Sequence, residues 1–163
     1  MIHDAASIDT HPELAVERGG HGLGVGRWVP EEKHFYLKRY IDATREARKK
    51  FKRRVFIDPF CGPGRIQVVG ESGTRDGGSV AAYRQSIASS AAFTSMLVGD
   101  IDGERVQANA QRLAALGASV QAFTGPAMQT VDAMVNAVPY SLSSITVVRF
   151  GSWMVPETYP GHV

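Results

Sequence analysis

Two aspartates and a glycine-rich turn are the residues of this sequence whose types and spacing best suit ligand binding. Asp58 ends a short apolar run and is soon followed by the turn Gly62-Pro63-Gly64, and Asp100 ends the next apolar run. The two glycines let the backbone turn sharply and approach a ligand closely, while the proline stiffens the turn. A carboxylate ahead of the turn can accept hydrogen bonds from a ligand's amino group. The pattern favours a positively charged ligand over an anionic phosphate.

Phosphate-binding motifs fit this turn poorly. A dinucleotide fingerprint, G-x-G-x-x-G, needs a third glycine where Gln67 stands, and a P-loop needs Gly-Lys-Ser/Thr, whereas Gly64 is followed by Arg65. S-adenosylmethionine, which carries an ammonium and no phosphate, suits an acidic lead residue better. A lone G-x-G is also typical of an ordinary turn between a strand and a helix. Asp102 fits either a ligand site or a helix N-cap.

Four strands alternating with helices are expected to position these residues. A β-branched and aromatic run predicts a strand over 55–57, and further short strands are predicted over 94–99, 120–123 and 144–148. Helices are predicted from Pro30 onward, over 80–90 with Ser79 as the cap, over 103–116 and over 128–137. This alternation implies an α/β, Rossmann-like domain with a parallel sheet and right-handed crossovers. Ligands of such sheets bind beyond the carboxyl ends of the strands, where an acidic residue such as Asp100 holds the ribose hydroxyls.

The predicted first helix, 30–54, carries a basic block. From Arg27 to Arg54 there are eleven Lys/Arg against four Asp/Glu, a net charge of +7, so the rest of the chain carries −5. A solvated helix face explains such a block, and RNA or an acidic partner is the alternative. Apolar and small residues at three- and four-residue steps predict one stripe that packs on the sheet. Its members are Tyr36, Leu37, Tyr40, Ile41, Thr44, Ala47 and Phe51.

Composition limits the class of protein. A length of 163 residues with 44% hydrophobic content suits one domain with a core of its own. No run approaches the roughly 18 apolar residues of a membrane span, and no signal peptide is recognisable, so a cytoplasmic protein without membrane contact is expected. Cys61, the single cysteine, is expected to be a small buried group and not a nucleophile. Scattered histidines in residues 1–24 lack ligand spacing, and no metal site is predicted.

Four segments together resemble one known family. VGRWVPEEKHFYLKRYI leads into VFIDPFCGPGR, then DGGSVAA, then LVGDID, and this order resembles the three-Cys-motif partner protein family, TcmP. The resemblance covers roughly residues 25–148. It implies a class I S-adenosylmethionine-dependent methyltransferase fold, S-adenosylmethionine as the cofactor, and a radical-SAM-like three-Cys-motif protein as partner. It also implies the cofactor-binding positions: Asp58, Phe60, Gly62 and Gly64 around the methionine end, Asp100 at the ribose, and Ile101 beside the adenine.

The sequence departs from the family pattern in its C-terminal part. Gly125-Pro126 stands where Gly-Asp usually meets the adenine amino group, and Arg149 begins the segment where an Asp-Pro-aromatic-Gly active-site turn is expected. No catalytic residue is assigned. Asp58-Pro59 followed by Phe60 partly matches the Asp-Pro-Pro-aromatic motif of nucleic-acid base methyltransferases, but the second proline is absent.

These departures set the expected domain organisation. We expect a methyltransferase-like fold truncated after the fourth strand, and the sequence leaves open whether it is active or inactive in methyl transfer. Residues 1–24 would form a flexible tail, 25–148 a partial Rossmann-like domain, and 149–163 an irregular segment that could arise from a frameshift.

Overall fold

The centre of the molecule is a parallel four-stranded sheet. The computed structural model describes residues 8–138 and 143–149. The strands are β1 (Arg53–Asp58), β2 (Arg65–Gln67), β3 (Thr74–Asp76), β4 (Ser95–Asp100), β5 (Val120–Thr124) and β6 (Ser144–Val148). The central sheet has the order β5-β4-β1-β6, and β2 and β3 form a separate antiparallel pair.

Helices join the parallel strands. A π-helical turn (Val29–Lys33) leads into α1 (His34–Ala43) and α2 (Arg45–Lys49), and the later helices are α3 (Gly78–Ala88), α4 (Gly103–Ala115) and α5 (Ala127–Ala137). The strands and the last two helices agree with the predicted ranges to within two residues. Ser79 does not cap α3, which starts at Gly78 without a side-chain cap. Its hydroxyl instead donates to Asn109 Oδ1 at 3.0 Å.

The strand order confirms the predicted α/β class with a parallel sheet. Counted along the chain, the parallel strands lie in the order third, second, first, fourth, which is compatible with a Rossmann-like fold. From β1 the chain adds β4 and β5 on one side of the sheet and then returns to add β6 on the other side. A ligand crevice is therefore expected between β1 and β6, at the carboxyl ends of these strands. Register places Asp58 beside Val98, and Asp100 beside Thr124.

The core lies on both faces of the sheet, because successive side chains of a strand point to opposite sides. On one face Phe56, Met96 and Val98 pack with residues of α1, α3 and α4. On the other face Ile57 and Met134 belong to a smaller cluster beneath α5. The short apolar runs therefore serve as buried central strands.

The stripe predicted along the first helix is only partly buried. Ile41 is fully buried, whereas Tyr36 and Tyr40 are 67% and 54% exposed and Ala47 is exposed as well, so the prediction was wrong for these three residues. The helix is interrupted at Thr44, whose backbone leaves helical geometry, and the periodicity therefore does not continue along one face. In α2 the buried residue is Arg48, whose guanidinium donates to the carbonyls of Ile41 and Ala91.

Residues 8–24, part of the predicted tail, contact β2 and α4. They contain little regular structure, but Glu17 and Val25 form bridges to β2 and the residue after it. Arg112 of α4 donates to the Ala15 carbonyl and forms an ion pair with Asp9 at 3.1 Å. The edge of β2 and the buried guanidinium of Arg112 thus supply hydrogen-bond partners for the backbone of this segment. The sequence pattern does not reveal these contacts.

Two parts of the predicted organisation lie outside the described residues: positions 1–7 of the tail and 150–163 of the C-terminal segment. Among the helices that the structure describes, none has the length and apolar character needed to cross a membrane.

Candidate functional site

A cavity of about 790 Å³ opens at the carboxyl ends of β1 and β4. Five of the six predicted cofactor-binding residues line it: Phe60, Gly62, Gly64, Asp100 and Ile101. Asp58 is fully buried and does not line the wall, although its ion-pair partner Arg149 does. We call the part around Gly62, Asp100 and Ile101 the Asp100 end, and the part around Lys33, His34, Asp58 and Arg149 the Asp58 end.

The glycine turn requires its glycines. Gly62 and Gly64 have φ angles of +59° and +84°, in the left-handed region that side chains disfavour. A Cβ at Gly64 would also lie 3.1 Å from the Val80 side chain and 3.3 Å from the Asn109 backbone. The turn therefore packs tightly on α3 and α4, and its backbone forms one wall of the cavity.

Asn109 of α4 holds the backbone of the glycine turn in place through hydrogen bonds. It is fully buried, and its side-chain nitrogen donates to the carbonyls of Cys61 and Gly62, at 3.0 Å each. Sequence reasoning missed this residue. The available signal was a single amide side chain among the apolar positions of an amphipathic helix.

Asp100 connects β4 to the turn. Its Oδ2 accepts a hydrogen bond from the Gly62 backbone nitrogen at 3.1 Å, and its Oδ1 accepts from the Asp102 nitrogen at 3.0 Å. Arg105 Nε lies 3.6 Å from Oδ2. An ionised carboxylate offers about four acceptor positions, so Asp100 retains capacity for a ligand's hydroxyl groups.

Asp102 acts as the N-cap of α4. Its side chain accepts hydrogen bonds from the backbone nitrogens of Glu104 and Arg105, at 2.9 and 3.4 Å. Of the two alternatives left open by the sequence, the helix-cap role is the one that the described contacts support.

Asp58 is paired within the protein. Its Oδ2 lies 2.5 Å from Arg149 Nη1, and its Oδ1 accepts from the Phe60 nitrogen at 3.2 Å. The Arg149 backbone nitrogen donates to the Ile57 carbonyl at 2.8 Å, which continues the pairing of β6 with β1. The position at which the family pattern leads one to expect a carboxylate thus carries a guanidinium that neutralises Asp58.

Burial determines the protonation of the neighbouring groups. Burial, with a smaller contribution from Arg149, lowers the pKa of His34 to about 3 and the pKa of Lys33 to about 8. Burial, with the charge of Asp58, raises the pKa of the Cys61 thiol well above its ordinary value. At neutral pH His34 is therefore neutral and Cys61 is a thiol, which agrees with its expected inert role.

Two further residues that line the cavity, Glu17 and Arg105, were not predicted as site residues. Glu17, in the predicted tail, forms an ion pair with Arg105 of α4, and both residues line the cavity. No sequence signal connects these positions, which are 88 residues apart. In the part of the chain that the structure describes, no group of three or more His, Cys, Asp or Glu side chains could hold a metal ion.

Comparisons with family models, with curated proteins and with solved structures find no match for this chain.

Proposed function

We propose that the cavity binds S-adenosylmethionine or a related adenosyl compound, in a TcmP-like protein of the class I methyltransferase type. The observation that carries the proposal is the hydrogen bond between the Gly62 nitrogen and Asp100 Oδ2. It joins the glycine turn after β1 to the acidic end of β4, next to the switch point between β1 and β6, and such sheets bind nucleotides at this edge. The TcmP resemblance adds a three-Cys-motif, radical-SAM-like protein as the proposed partner.

The Asp100 end suits a nucleoside. Asp100 retains acceptor capacity for the two ribose hydroxyls, and Ile101 is 73% exposed on the wall of the cavity, where its apolar side chain can pack against a purine ring. A cavity of about 790 Å³ lies within the range of roughly 300–1,000 Å³ found for small-molecule sites.

The proposal concerns binding and assigns no catalytic residue. Among the described residues, Arg149 stands where the resemblance leads one to expect an active-site carboxylate, and Cys61 is a buried thiol. A guanidinium offers hydrogen-bond donors and no acceptor, so Arg149 supplies no general base.

Isothermal titration with S-adenosylmethionine and S-adenosylhomocysteine tests the proposal. Asp100→Asn should weaken binding of both by about tenfold or more, because a neutral amide replaces charge-assisted hydrogen bonds to the ribose. Asp132→Asn, on an exposed position of α5, is the control and should bind as the wild type does. Absence of binding heat from wild-type protein with a folded circular-dichroism spectrum would reject the proposal.

A second candidate function is RNA or acidic-partner binding through the basic helix 30–54. Of the basic cluster at its end, Lys49 pairs with Glu46 and Arg54 donates to backbone carbonyls. Lys50, Lys52 and Arg53 are exposed and form no ion pair with another described residue. These three cations, close together in the chain, are the observation that favours an anionic partner.

Filter binding of a labelled single-stranded RNA tests this second function. Lys50→Gln with Lys52→Gln should weaken binding and flatten its salt dependence, because fewer counterions are released. Arg18→Gln with Arg84→Gln removes the same charge outside the block and should leave binding unchanged. Equal affinity of both double variants would count against RNA binding at this cluster.

A further inference from the structure

The Asp58 end of the cavity is closed by an internal ion pair. Asp58 is fully buried and the Arg149 side chain is 10% exposed, with 2.5 Å between Oδ2 and Nη1. The backbone of Arg149 is held by its hydrogen bond to the Ile57 carbonyl. The carboxylate that would otherwise receive a ligand's ammonium already has a positively charged partner.

The guanidinium of Arg149 also fills the space beside the start of α3. A Cβ built on Gly78 would overlap three atoms of this guanidinium, so the group lies directly against the Gly78 backbone. A Cβ on the preceding residue, Gly77, would lie 2.9 Å from the Gly64 carbonyl carbon. Small residues at the start of α3 thus leave room for the guanidinium between Asp58 and the helix.

A cationic ligand group would meet an unfavourable field here. The groups around this end are Lys33, His34, Asp58 and Arg149, and His34 is neutral at pH 7. One carboxylate then faces two cations, and an incoming ammonium would add a third charge of the same sign. Like charges in a partly buried site repel more strongly than in water, so the ammonium must displace Arg149 or bind weakly.

At the Asp100 end the pairing is looser, because Arg105 Nε lies 3.6 Å from Asp100 Oδ2. Asp100 keeps free acceptor positions, and Ile101 is exposed on the cavity wall. The two ends therefore select different parts of an adenosyl compound: the nucleoside is accommodated at the Asp100 end, and an ammonium is opposed at the Asp58 end.

We propose that Arg149 is a specificity-determining residue that makes this cavity selective for adenosine thioethers that carry no ammonium group. The simplest such ligand is 5′-methylthioadenosine. This inference rests on the proposed function, adenosyl binding, and specifies which member of that ligand class the site prefers.

Titration of the wild-type protein with three ligands tests the inference. 5′-Methylthioadenosine should bind at least about tenfold more tightly than S-adenosylmethionine, which corresponds to about 1.4 kcal/mol. S-adenosylhomocysteine should bind more weakly than its deaminated analogue, which differs only in lacking the amino group. Equal or tighter binding of S-adenosylmethionine would overturn the selectivity while leaving adenosyl binding intact. Binding of no adenosyl compound to folded protein would overturn both proposals.

Substitution of Arg149 assigns the selectivity to this residue. Arg149→Gln removes the charge but keeps a hydrogen-bond donor for Asp58, and it should tighten S-adenosylmethionine binding at least about fivefold without changing 5′-methylthioadenosine binding. Arg84→Gln, which removes an exposed cation outside the cavity, is the control and should change neither affinity. An unchanged ratio in Arg149→Gln would overturn the role of Arg149. If that variant does not fold, the affinities of wild-type protein for S-adenosylhomocysteine and its deaminated analogue test the inference instead. Equal affinities would overturn it.

Discussion

Asp58 and Asp100 end neighbouring parallel strands, yet their carboxylates meet different surroundings. Asp100 accepts backbone hydrogen bonds from Gly62 and Asp102 and still lines the cavity. Asp58 is fully buried against the guanidinium of Arg149. Two acidic residues in the same topological position therefore have different functions: one remains available to a ligand, and the other holds the fold together. Position at a strand end places a carboxylate near a site, but its neighbours determine whether a ligand can use it.

The largest expected effect is a difference in stability between the variants Asp58→Asn and Asp100→Asn. Asp58→Asn should lower the free energy of unfolding by about 3–5 kcal/mol, because it leaves the buried Arg149 charge without a counter-charge. Asp100→Asn should cost less than about 1 kcal/mol, since one amide oxygen can still accept a backbone hydrogen bond and the pair with Arg105 is long, at 3.6 Å. Urea denaturation measures both. Similar losses for the two variants would contradict the distinction between the two ends.

An intermediate effect is expected at the support of the glycine turn. Asn109→Ala should destabilise the protein by about 2–3 kcal/mol, because it leaves the buried carbonyls of Cys61 and Gly62 without their donor. Gln107→Ala, on an exposed position of the same helix, is the matched control and should change stability by less than about 0.5 kcal/mol. Equal unfolding midpoints for the two variants would show that Asn109 does not hold the turn.

The smallest expected effect is a pH dependence confined to the Asp58 end. The pKa of His34 is about 3 in the folded protein against its ordinary value of 6.5, so the unfolded state binds the proton more tightly between these values. Stability should therefore fall as the pH decreases from 6.5 towards 3, by about 2 kcal/mol from this group at pH 5.

Urea denaturation at pH 7.5 and pH 5.0 measures this effect. His34→Phe should lose that part of the pH dependence, whereas His21→Gln, at an exposed position, should retain it. The same pH dependence in His34→Phe as in wild type would place its origin elsewhere.

The strands were predictable because their signals are local. The run Val55-Phe56-Ile57 before Asp58 is recognised from its β-branched and aromatic composition, and the run before Asp100 from its apolar residues Met96 to Val98. The face of α1 was not predictable in the same way. Tyr36 and Tyr40 match the helical period, but the break at Thr44 and the buried Arg48 determine which side faces the core.

By itself, the sequence determined the parallel α/β arrangement, the position of the glycine turn, and the placement of Asp58 and Asp100 at strand ends. These features depend on the preferences of neighbouring residues. Only the tertiary structure decided that Arg149, 91 residues from Asp58, pairs with it, and that Glu17 meets Arg105. Charge pairing between distant segments depends on how β6 and residues 8–24 pack, and no periodicity in the chain encodes that geometry.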